Sequence, residues 1–115
     1  MDYILFALPL LPGKSEQARR FLHELDHQRQ EQYAASERKL NIPEEVWALQ
    51  QLPSGEAYVV YFKGQDIAQA FQTFAQSRDE FDVWFKQQLK ETSGLDLNTP
   101  PAAAPSEVLS VYTAG

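Results

Sequence analysis

The stretch EVWALQQLPSGEAYVVYF, residues 45–62, decides the architecture. Two runs rich in β-branched and aromatic residues flank PSGE at 53–56, where Pro, Ser and Gly hold turn positions. The pattern predicts a hairpin, with one strand over 45–52 and another over 57–62. On the N-terminal side, NIP at 41–43 ends a helix, because Asn suits a left-handed cap and the residue before proline avoids helix. That helix is expected as one long element from Ser15 to Leu40, with Ser15 as its N-cap. PLLPGK at 9–14 separates it from a first strand, YILFAL at 3–8. On the C-terminal side, GQD at 64–66 opens a second helix, in which Ile67, Ala70, Phe71 and Phe74 recur at helical spacing. QSRD at 76–79 breaks it, and a third helix over 79–92 carries Phe81, Trp84, Phe85 and Leu89 on one side. A Pro-rich connection, 94–106, leads to a last strand, EVLSVYT at 107–113. The order β-α-β-β-α-α-β predicts one α+β domain over 1–115. Its plan is ferredoxin-like with the second helix split, an antiparallel sheet and helices on one face.

The strands carry apolar residues on both alternating sets. A sheet with one wet face should alternate instead. A bare apolar face associates, so a homodimer packed sheet on sheet is expected, unless the 94–106 segment folds over that face. The net charge of −6 comes from 10 basic and 16 acidic residues with no basic patch. That disfavours nucleic acid and anionic membranes as partners. No apolar run approaches the roughly twenty residues needed to cross a bilayer. The first strand follows Asp2 with no basic leader, which points to a cytoplasmic protein. The absence of cysteine excludes disulfides, thiol catalysis and thiolate metal sites.

HELDH at 23–27 matches the H-E-x-x-H pattern of zinc peptidases. With about 100° per residue, Ala18, Phe21, Leu22 and Leu25 centre the core side near 60° on a wheel that starts at Phe21. His23 falls near 200° and His27 near 240°, almost opposite, and Glu24 near 300°. No third His exists, so a zinc hydrolase is disfavoured and no metal or other cofactor is expected. On the core side, Arg29, Tyr33 and Ser36 follow Leu25. Polar groups beside aromatic walls suit a small-ligand pocket between the first helix and the sheet. There Arg29 would hold an anionic group, Tyr33 and Ser36 would orient it, and Trp47, Gln51 and Trp84 would form walls. The competing expectation makes Arg29 and Tyr33 structural, in an overhanging helix end or a dimer contact.

Three segments together resemble a mainly bacterial family of small proteins with no assigned activity. They are an Arg-x-x-x-Tyr-x-x-Ser run (Arg29, Tyr33, Ser36), a Trp-x-Leu-Gln strand (Trp47, Leu49, Gln50) and a Phe-Asp-x-Trp-Phe helix (Phe81, Asp82, Trp84, Phe85). The resemblance runs from about residue 3 to residue 111 and implies a dimeric α/β barrel. That wider fold group includes cofactor-free monooxygenases, lactone isomerases, haem enzymes and ligand-sensing modules, and fold alone does not choose among them. Haem is discounted, because both histidines face away from the core. Two function classes stay open: a protein that binds or transforms a small anionic or aromatic molecule, and a non-catalytic oligomeric module.

Overall fold

The computed structural model describes residues 1–101 and 104–114. Seven elements follow one another: β1 (Asp2–Pro9), α1 (Ser15–Leu25), α2 (Gln30–Leu40), β2 (Glu44–Leu52), β3 (Gly55–Gly64), α3 (Ile67–Gln76) and α4 (Glu80–Ser93). The strands form one antiparallel sheet in the order β1-β3-β2. The hairpin read from the sequence pairs Leu52 with Gly55, leaving Pro53 and Ser54 at the bend. Gly55 adopts φ 132°, a conformation that L side chains rarely adopt.

The long helix expected over 15–40 is two helices. Asp26 and His27 donate their backbone N–H groups to the carbonyls of His23 and Glu24, three residues back, and the coil tightens and stops. The physical cause is the apolar pattern: nothing apolar lies between Leu25 and Tyr33 to hold a straight extension on the core. One helix of 26 residues would be about 39 Å long, well beyond a nine-residue strand of about 30 Å. The break at 26–29 turns α2 back, so Tyr33, Ser36 and Leu40 face the interior. Ser15 starts α1 one position inside its cap, Lys14. Asn41, at φ 57°, closes α2 in the left-handed cap expected of it. Asp66 caps α3 by accepting from the Gln69 N–H at 3.0 Å.

The helices cover one sheet face. Ile4, Tyr58, Val60 and Phe62 from the strands meet Phe21, Leu25, Phe74, Phe81, Phe85 and Leu89 from the helices. Phe21 packs edge-on against Trp47, Tyr58, Trp84 and Phe85. Lys86 is 3% exposed and donates to the carbonyls of Phe74, Ala75 and Ser77, closing the C-terminal end of α3. Burial holds its pKa below the ordinary lysine value.

Residues 107–113 are not a strand, contrary to expectation. A strand needs a ladder partner, and this segment pairs with nothing among the described residues; Leu109 is 83% and Tyr112 89% exposed. Nor do the described residues of the 94–106 segment cover the second sheet face. Leu97 enters the helix-side core instead. The second face stays bare, with Leu5, Val46 and Val59 exposed on it. Among the described residues, no helix is long and apolar enough to cross a membrane.

Candidate functional site

α2 and β2 bring two carboxyls together. Strand alternation puts Glu45 on the same side as Trp47 and Leu49, facing the helices. One helical turn puts Glu37 on the same face as Tyr33. The Glu37 and Glu45 carboxyls lie close enough to act on each other's titration. Two carboxylates offer only acceptors, so a bond between them needs a proton on one of the two. Glu45 Oε2 also accepts from Tyr33 Oη and from Trp47 Nε1, each at 2.7 Å. Burial, then the Glu45 charge, pushes Glu37 up to about 10. Burial also raises Glu45, against the hydrogen bonds from Glu37, Tyr33 and Trp47. Tyr33 is raised by burial and by the Glu45 charge, so it stays a neutral donor.

This pair sits at the edge of a cavity of about 380 Å³. The cavity lies between the sheet and α2, α3 and α4, with Pro101, Pro105 and Ser106 along one side. Its walls are otherwise apolar, with Phe6, Trp47, Phe62, Phe71, Phe74, Phe81 and Phe85 among them. Two buried side-chain polar atoms lack a hydrogen-bond partner among the described residues: Glu37 Oε2 and Ser106 Oγ. Both residues line this cavity. On the other side of Tyr33, Glu45 and Trp47 lies a groove of about 550 Å³, which His23 and His27 also line. The Glu45 cluster is thus the partition between an outer groove and the inner cavity.

The residues expected to form a pocket separate into groups. Tyr33, Ser36 and Trp47 line the cavity. Arg29, Trp84 and Gln51 line neither the cavity nor the groove. The Arg29 guanidinium lies 4.0 Å from the Trp84 ring centroid and pairs with Glu80 at 3.0 Å and Glu24 at 3.5 Å. Gln51 is exposed at the far end of β2 and donates to the Leu52 carbonyl. Ser36 donates to Asp82 at 2.6 Å. The two histidines of HELDH are exposed and stacked on each other, ring centroids 3.8 Å apart. No group of three His, Cys, Asp or Glu suited to a metal occurs among the described residues. Glu37 and Glu45 were not singled out in the sequence. The signal was there: Glu45 stands two residues before Trp47 on a strand, and Glu37 four after Tyr33 on a helix.

Arg29→Ala is expected to lower stability by about 1 kcal/mol, through the lost ring contact and two partly exposed ion pairs. Affinity for a ligand in the cavity should not change. Urea denaturation and a ligand titration check the two halves; an affinity loss would put Arg29 in the site after all. Comparison with family models, with curated proteins and with solved structures gives no match.

Proposed function

We propose that the protein binds a small, largely apolar molecule held in the cavity between the helices and the sheet. The observation that carries this reading is the pair of buried partnerless polar atoms, Glu37 Oε2 and Ser106 Oγ, at one apolar cavity. Orphaned buried polar groups are rare because each costs about 1–3 kcal/mol. A ligand that hydrogen-bonds to them removes that cost. The molecule's polar end is a donor. An anionic group would meet the two glutamates, while Arg29 is engaged elsewhere. The test is a titration of isotope-labelled protein with indole, followed by amide NMR. Saturable shifts around Phe74, Phe81 and Leu97, abolished in the cavity-filling variant Ala70→Phe, are expected. No saturable binding at millimolar indole would contradict the reading.

The assembly belongs to the same proposal. Leu5, Tyr61 and Val46 form one cross-strand row on the bare face, and Ala7, Val59 and Ala48 the next. We infer a homodimer that packs these rows together, in the ferredoxin-like, dimeric-barrel manner of the family that the sequence resembles. The missing fourth strand of that plan is residues 107–113, laid against the free edge of β1, where this segment's exposed Leu109 and Tyr112 gain cover. Light scattering should give twice the chain mass, and a chain ending at residue 106 should dissociate at higher concentration. A cytoplasmic setting, with no nucleic-acid or membrane partner, completes the reading. The non-catalytic oligomeric module is the second reading, favoured by the structural role of Arg29 on Trp84; it predicts the dimer with no ligand effect.

A further inference from the structure

Resting on the cavity reading, we propose that the molecule taken there is an organic cation: an ammonium group on an aromatic or aliphatic body, bound with its charge against Glu37 and Glu45. Glu37 and Glu45 place two acidic carboxyls on the wall of one cavity. Of the ion pairs among the described residues, none includes Glu37 or Glu45. The groups facing the pair are acidic or neutral: Tyr33 on α2, Trp47 on β2 and Asp82 on α4, whose charge acts on Glu37. Lys39, the nearest cation in this network, is committed to Asp79 and Asp82. A buried charge without a counter-charge is costly, and a cation brought by a ligand removes that cost. The walls agree with this. Trp47, Phe62, Phe81 and Phe85 line the same cavity as the carboxyls, and aromatic faces attract ammonium groups.

An ammonium offers N–H donors to Glu45 and to the orphaned Glu37 Oε2. Its apolar body then fills the rest of the cavity. Binding pairs the ligand's positive charge with a carboxyl that has no cationic partner among the described residues.

The experiment compares benzylamine, benzyl alcohol and benzoate by calorimetric titration at pH 7. Wild type, Glu37→Gln and Glu45→Gln are each confirmed folded by circular dichroism. Benzylamine is expected to bind at least ten-fold tighter than benzyl alcohol, and benzoate not at all. Glu45→Gln should bring amine and alcohol to near parity. Alcohol binding equal to or tighter than amine binding overturns the cation assignment and leaves the cavity reading standing. An amine preference that survives Glu45→Gln also overturns it. If none of the three binds, the cavity reading fails and this inference fails with it.

Discussion

Asp82→Ala should destabilise the protein by about 3 kcal/mol, the loss characteristic of breaking a buried charge network. Asp82 is 1% exposed. Its carboxylate accepts from Ser36 on α2, Ser77 in the α3–α4 turn and Lys39 on α2. One side chain therefore ties three parts of the helical layer together. Removing it strands the buried Ser36 hydroxyl and leaves a void. Lys39 suffers less, because it is partly exposed and keeps Asp79 at 2.8 Å. The same geometry sets the acid limit. Burial pushes Asp82 up, but the hydrogen bonds from Lys39, Ser36 and Ser77 outweigh it and hold the group below the ordinary aspartate value. Its contribution is thus complete above the ordinary aspartate range and is lost as pH falls through the lower folded value. Urea midpoints at pH 7 and pH 3 measure both effects. A loss under 1 kcal/mol at pH 7 would mean that the network is ornamental to the fold.

Glu37→Gln should act in the opposite direction, raising stability by about 1 kcal/mol or more at pH 8, because it removes a buried acid that the fold keeps from ionising. In the unfolded chain Glu37 ionises near 4.5; in the folded protein it holds its proton to about 10. Across that window the unfolded state binds fewer protons than the native state. Stability therefore falls with rising pH, from the unfolded value up to the folded one. Glutamine keeps a donor toward Glu45 and does not titrate. The gain should be absent below pH 4 and grow toward pH 10, with a residual slope left by Glu45, which burial also raises. A stabilising change that removes a polar cavity group is the signature of a functional site kept at the expense of stability. Thermal melts from pH 4 to 9 would record it; equal stability of both proteins throughout would contradict it.

How much of this was legible in the sequence depends on what each residue type commits to. The hairpin at 45–62 was legible because turn residues and strand formers act locally. Asn41 and Asp66 were legible as helix boundaries for the same reason. The break at 26–29 was not, since no glycine or proline marks it. It arises from the lack of apolar residues between Leu25 and Tyr33, whose cost appears only when the helix is laid against a strand of finite length. The segment 107–113 has strand composition but pairs with neither edge strand of the sheet, and pairing cannot be read from composition. Arg29 and Trp84 were read as parts of one pocket; they touch each other outside the cavity, and the carboxylate partners of Arg29, Glu24 and Glu80, decide its role. Glu37 and Glu45 are ordinary exposed residue types by composition, and only the meeting of α2 with β2 turns them into a buried pair.

The shared proton is the centre of this account, and carboxyl carbon NMR measures it directly. Protein labelled at glutamate side chains would be titrated from pH 3 to 11, with Glu37→Gln and Glu45→Gln assigning the two resonances. The account predicts that one proton remains on the pair through neutral pH and leaves only near pH 10. Two resonances that both titrate near 4.5, as solvated glutamates do, would contradict it, and the site would then be a pair of ordinary carboxylates beside an empty apolar space.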